Sequence, residues 1–132
     1  MKFKFDNNIP IHQQLVDQIS YYIISGYLKP AEKLPSVREL SIMAEVNHNT
    51  IQKALFEVES LGLIITNRTS GKFVTEDVEA INEIRDNILK KKIASCMKDL
   101  EYIGIYSAKL EIKKDEDKEI DVYEFAKMRK FK

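Results

Sequence analysis

Tryptophan is absent from this 132-residue chain, and cysteine occurs once, as Cys96. A single thiol closes no internal disulfide, so the core must rest on ordinary apolar burial, and a reducing compartment fits. Histidine is nearly as scarce. His12 and His48 are the only two, and with Cys96 they make no metal-ligand spacing. Four dispersed glycines supply neither a phosphate-cradling loop nor a nucleophile elbow. Long apolar runs are missing as well: Ile19 to Leu28 is broken by Ser25 and Gly26, far below the ~20 residues of a bilayer span. The opening Met1-Lys2-Phe3-Lys4-Phe5-Asp6 lacks the apolar run of a secretory signal. The expectation is a cytoplasmic protein with no catalytic residue, no metal, no cofactor and no membrane partner.

An excess of one charge is also lacking. Lysine and arginine total 21, as do aspartate and glutamate. Splitting the chain changes little: residues 1–75 hold 8 basic and 7 acidic groups, and residues 76–132 hold 13 and 14. A surface for a polyanion must therefore be a local patch rather than a global field.

What is present is periodicity. After Pro10, Ile11, Leu15, Ile19 and Ile23 recur every four residues, which predicts a helix that stops near Gly26. Two prolines, Pro30 and Pro35, mark a loop with Leu28 and Leu34 as anchors. Ser36-Val37-Arg38-Glu39 has the form of a capping box opening a short helix to Ala44 or Glu45, with Val37, Leu40, Ala44 and nearby Met43 as its buried side. Asn47 is a good N-cap for a third helix, whose face carries Ile51, Leu55, Val58 and Leu61 and which ends at Gly62. Two helices joined by so short a turn form a helix-turn-helix. The period then changes: Leu63–Thr66 and Gly71–Thr75 are β-prone runs around the polar Asn67–Ser70, a hairpin. The fold class expected is mainly α with a small β-hairpin, a winged helix-turn-helix over 1–75 with a C-terminal helical dimerisation tail.

That tail reads as helical over 76–114. Ile81, Ile84, Ile88, Ile93, Met97 and Leu100 form an apolar stripe on a helix of about 24 residues, roughly 36 Å long. A head of this size cannot cover all of it, so the stripe is expected to meet a second copy. A shorter segment, Ile103 to Ile112, reads as another helix. Residues 115–132 begin with the charge run Asp115–Glu119 and read as a charged tail, disordered or weakly helical.

Chemistry concentrates at three places in the head. The start of the third helix offers Asn47, His48, Asn49, Thr50, Gln52 and Lys53, side chains that donate and accept hydrogen bonds at base edges in a major groove. The helix N-terminus itself favours a phosphate. Ser36 and Arg38 open the preceding helix, where Arg38 suits a phosphate or a guanine. The hairpin tip carries Arg68, Gly71 and Lys72 for phosphate or minor-groove contact. Each group taken alone also fits a plain polar cap, a surface ion pair or a solvated turn; their shared position in one fold favours DNA.

Pro10–Leu15, Gly26–Pro30, the string Leu34-Pro35-Ser36-Val37-Arg38-Glu39-Leu40, Val46–Thr50 and Glu59–Ile64 resemble the GntR family of bacterial regulators over residues 9–75. The short tail is similar to the YtrA subfamily in length and pattern. The resemblance implies a homodimeric transcription regulator, with repression the expected mode, on double-stranded DNA with a palindromic operator. It implies that Arg38 contacts DNA, that Asn47, His48, Asn49, Thr50 and Gln52 hold the recognition positions, and that Gly71 is the wing glycine. Three residues depart from the pattern. Glu45 replaces a turn glycine, which costs about 1 kcal/mol if the left-handed backbone is kept. His48 replaces a frequent proline, and Thr69 replaces the first wing glycine. A tail this short does not readily enclose an effector pocket, so a small-molecule effector, if there is one, has no identity in the sequence. The rival expectations are a protein-interaction scaffold, supported by the balanced charge, and an enzyme, which would need a buried polar cluster.

Overall fold

The computed structural model describes residues 1–114 and 119–126. They form α1 (Ile11–Ile24), α2 (Val37–Ala44), α3 (His48–Ser60), β1 (Ile64–Asn67), β2 (Gly71–Val74), α4 (Val78–Tyr102), β3 (Ser107–Lys114) and β4 (Glu119–Ala126). The chain divides into two compact units, Met1–Asp86 and Asn87–Lys132. Among the described residues, no helix is long and apolar enough to cross a membrane.

The first unit is built around α3. Its Ile51, Ala54, Leu55 and Val58 are at most 1% exposed, and the helix packs against α1, α2 and β1. Burying side chains of this kind stabilises the unit by roughly 1.5–3 kcal/mol each. From α1 come Leu15, Val16, Ile19, Ile23 and Ile24, and from α2 Leu40 and Ala44, while Leu28 and Leu34 anchor the intervening loop as expected. Met43, expected beside the core, is exposed. Gly62, at φ 92°, closes α3 and turns the chain into β1.

β1 and β2 pair antiparallel, with Ile64 opposite Val74 and Asn67 opposite Gly71. The free edge of β2 is covered by the loop before α2. Ala31 N–H donates to Val74 O (3.1 Å), Val74 N–H to Glu32 O (2.8 Å) and Leu34 N–H to Lys72 O (2.9 Å). The loop thus acts as a third, very short strand, and little unpaired edge is left on β2. To reach it, Ala31 takes φ 67°, a left-handed position the sequence reading did not mark.

A second feature escaped the periodicity. The N-terminal segment lies extended and antiparallel along α1, held by side chains at four-residue spacing. Gln14 Oε1 accepts from Asp6 N–H (2.7 Å) and Gln14 Nε2 donates to Asp6 O (2.8 Å). Gln18 does the same for Lys4, at 3.1 and 2.6 Å. The Tyr22 hydroxyl accepts from Lys2 N–H (2.8 Å) and donates to Lys2 O. Two extended residues advance about 6.6–6.8 Å and four helical residues about 6 Å, so the two repeats stay in step over this length. Phe3 adds an edge contact with Tyr22, the ring centroids 5.8 Å apart.

The first unit ends at Asp86, beyond the boundary at 75 read from the sequence. Asp77 Oδ1 caps α4 through Ala80 N–H (3.0 Å), Ile81 is buried, and the Arg85 guanidinium donates to Ile24 O at the C-terminus of α1. A cation there satisfies a carbonyl left without a helical partner.

In the second unit, two readings need correction. The segment Ile103–Ile112, expected as a helix, instead enters β3, and Glu119–Ala126, expected as disordered or helical, is β4. The strands pair antiparallel from Ser107 opposite Ala126 to Lys114 opposite Glu119. The physical reason is a period of two: Ala108, Leu110 and Ile112 alternate with Ser107, Lys109, Glu111 and Lys113. Residues 115–118 and 127–132 of the expected charged tail lie outside the described residues.

The turn between α2 and α3 generates a test. Glu45, at φ 54° and ψ 46°, holds the left-handed conformation in an exposed position. Glu45→Gly is expected to raise the unfolding free energy by about 0.5–1 kcal/mol, because strain relief exceeds the added unfolded-state entropy. Urea denaturation measures it, and a lower stability would contradict the strain assignment.

Candidate nucleic-acid interface

Three polar elements of the first unit carry the residues singled out from the sequence. At the start of α2, Ser36 Oγ accepts from Glu39 N–H (3.1 Å) and donates to Glu39 Oε1 (3.2 Å). The cap therefore forms, with the carboxylate meeting the hydroxyl of Ser36. Ser36 thereby fixes the first turn of α2. Arg38 follows on that turn, exposed, and engages no carboxylate among the described residues. The local ion pair that would make it an ordinary surface arginine is not formed.

The turn to α3 is closed by Val46 N–H donating to Ser41 O (3.2 Å) and Ser41 Oγ donating to Val46 O (2.5 Å). Asn47 Oδ1 then accepts from Asn49 N–H (2.7 Å), so this oxygen is committed to the cap. His48 occupies the first helical position, which a proline would fit equally well. His48, Asn49, Gln52 and Lys53 are exposed, Thr50 is half-buried, and the apolar row lies on the other side. Burial of that row aims the polar residues outward.

The hairpin tip is stiffened from within. Asn67 Oδ1 accepts from both the backbone N–H and the hydroxyl of Thr69, each at 3.0 Å. Thr69 keeps an ordinary negative φ, so the missing glycine is tolerated without strain. Gly71 is needed for its backbone, since φ 109° is a conformation that side-chain-bearing residues rarely adopt, and Lys33 Cε lies 3.3 Å from where a Cβ would stand. That contact also places a cation, Lys33, beside the wing, a residue not among the DNA contacts expected from the sequence. Its only signal was position, since it sits in the loop whose pairing with β2 was not anticipated.

Lys72 is less available than its sequence position suggests. Its Nζ donates to Thr66 Oγ1 (2.7 Å) and lies 3.6 Å from Glu59 Oε1, while the Thr66 hydroxyl donates to the same carboxylate. The three side chains brace the wing against the last turn of α3. Arg68, at the tip, is exposed and makes no ion pair among the described residues. Among the described residues, no group of His, Cys, Asp and Glu is arranged to hold a metal ion.

Comparison with known proteins decides the assignment. Residues 11–74 match the family described as bacterial regulatory proteins, gntR family. The uncharacterized HTH-type transcriptional regulator YhcF of Bacillus subtilis is 37% identical over 105 residues, spanning 80% of this chain and 87% of YhcF. The chain belongs to the GntR family. Within it, the HTH-type transcriptional repressor YtrA of Bacillus subtilis is 33% identical over 105 residues, 79% of this chain and 81% of YtrA. A GntR family transcriptional regulator from Listeria monocytogenes has a TM-score of 0.74 at 38% identity, covering 76% of this chain and 89% of that one. The AraR DNA-binding domain in complex with operator ORX1 has a TM-score of 0.52 at 28% identity, covering 57% of this chain and 99% of that domain. As a GntR protein with a winged helix-turn-helix, the chain is a DNA-binding transcription regulator and not an enzyme.

The Glu59–Lys72 pair generates a test on DNA. Glu59→Gln releases the Lys72 ammonium and removes a negative charge beside the wing. The expected outcome is a rise of roughly two- to five-fold in affinity for duplex DNA at low salt, shrinking as salt is added. Fluorescence anisotropy reads it, and an affinity unchanged at every salt would place the pair away from the bound duplex.

Proposed function

We propose that the protein is a homodimeric repressor that occupies a palindromic operator and blocks access to the promoter. The observation that carries this reading is the outward polar face of α3, where exposed His48, Asn49, Gln52 and Lys53 lie opposite a fully buried apolar row. In the proposed complex, this face enters the major groove, with Asn49 and Gln52 suited to adenine edges and Lys53 to guanine or phosphate. Thr50, at the margin of the face, reaches backbone or base. Asn47 keeps its amide nitrogen for a phosphate, its oxygen being used by the cap. Arg38 holds a phosphate from α2 beside the capped first turn at Ser36. Arg68 contacts the backbone from the wing, Gly71 permits close approach, and Lys33 and Lys72 add charge at the wing base. Phosphate contacts supply most of the affinity, and α3 selects the sequence. Repression is proposed by similarity to the repressor YtrA, and DNA as partner by similarity to the AraR domain in complex with its operator.

The proposed dimer contact lies on α4. Of its apolar stripe, Ile81 and Ile93 are already buried within the single chain, at 5% and 6% exposure. The part left for a second copy is therefore Ile84, Ile88, Met97 and Leu100, all half-buried. A twofold pair sets two recognition helices on half-sites about 34 Å, one helical turn, apart.

Two measurements test the proposal. Arg38→Ala is expected to weaken operator binding about 5- to 150-fold with circular dichroism and thermal midpoint unchanged. Ile88→Glu is expected to convert a dimer to a monomer in sedimentation velocity and to abolish the advantage of two half-sites over one. Monomeric wild-type protein that binds a single half-site as tightly as the palindrome would overturn the dimer.

A further inference from the structure

Two turns into α3, Phe56 is 69% exposed, although it is among the most apolar side chains on the helix. It has no place in the core row of Ile51, Ala54, Leu55 and Val58. At about 100° per residue, Phe56 falls between Gln52 and Lys53 around the helix axis and within about 20° of Asn49. Asn49, Gln52, Lys53 and Phe56 therefore form one face with the spacing i, i+3, i+4, i+7. This is the spacing by which the groove-reading helix of a homeodomain addresses bases. From Asn49 to Phe56 the helix rises about 10.5 Å, within the ~12 Å width of a major groove.

Phe56 is the one member of this face without a polar group. It offers no donor or acceptor for a base edge and no charge for a phosphate. The group it can recognise in a major groove is the one apolar feature there, the 5-methyl of thymine. We propose that Phe56 is a specificity-determining residue whose ring packs on a thymine methyl in each half-site, so that the operator carries an obligatory thymine at that step. The inference rests on α3 being the major-groove helix and goes beyond it by naming the base and the chemical group read. A phenylalanine kept in water would gain nothing, whereas desolvation against a methyl is favourable and discriminates thymine from cytosine by that group among others.

The test uses the full chain and an operator recovered by unbiased site selection. Each thymine is replaced in turn by uracil, which lacks only the methyl, and affinities are read by fluorescence anisotropy. Wild-type protein is expected to bind about four-fold more weakly when uracil stands at one particular step of a half-site, the equivalent of one buried methyl group. Phe56→Ala is expected to bring the thymine-to-uracil ratio at that step close to one and to leave other positions unchanged. Phe56→Leu should retain part of it. Because the residue is exposed, both variants should keep the wild-type circular dichroism spectrum. A ratio unaltered in Phe56→Ala, or wild-type indifference to uracil at every thymine, overturns the proposal while leaving specific DNA binding intact. A shift in sedimentation of Phe56→Ala with an unaltered ratio does the same and assigns the ring to a second copy. If selection recovers no preferred sequence, the groove reading of α3 falls together with the inference.

Discussion

Ile51, Ala54, Leu55 and Val58 lose nearly all contact with solvent where α3 meets α1, α2 and β1, and this single row fixes which side of the helix looks outward. Rotating α3 by one residue would expose part of that row and bury Gln52 or Lys53 without partners, at a cost of several kcal/mol. The direction of the polar face is therefore a consequence of packing, not of any interaction the polar residues make among themselves. Everything attributed to the DNA-facing surface depends on that constraint.

Around this helix, small local devices set the remaining geometry. Ser36 and Asn47 cap the two helices of the motif, and Glu45 bends the chain between them at the expense of a left-handed backbone. The loop 31–34 covers the edge of β2, and Glu59 ties Lys72 and Thr66 to the end of α3. The result is a rigid head whose cations are unequally free: Arg38 and Arg68 are uncommitted among the described residues, while Lys72 is held by a carboxylate. A chain with no net charge can then meet a polyanion through placement alone, because screening confines each charge to about 8–10 Å at physiological salt.

The head was legible in the sequence because its elements announce themselves locally. Four-residue apolar spacing marked α1 and α3, Ser36-x-x-Glu39 and Asn47 marked helix starts, and Gly62 marked the change of period. What escaped depends on partners distant in the chain or on residues with two roles. The strap over α1 arises from Gln14, Gln18 and Tyr22, which read as ordinary polar and aromatic helix residues until backbone groups of Lys2, Lys4 and Asp6 are laid beside them. β3 is hidden in the sequence because Ala108, Lys109, Leu110, Glu111 and Lys113 have good helix propensity, which the register with β4 overrides. Phe56 lies outside the apolar row by which the sequence marks α3, and its exposure in the fold places it on the outer face.

The central claim is that the outward face of α3 reads a sequence while scattered cations hold the backbone. The most direct measurement is anisotropy of a labelled GntR-type palindrome and a scrambled duplex of equal length, titrated across a range of salt. The account predicts tighter binding to the palindrome, with log affinity falling linearly in log salt on both duplexes and the preference persisting as the backbone term weakens. Equal affinity for the two duplexes at every salt, or no binding to either at low salt, would contradict it.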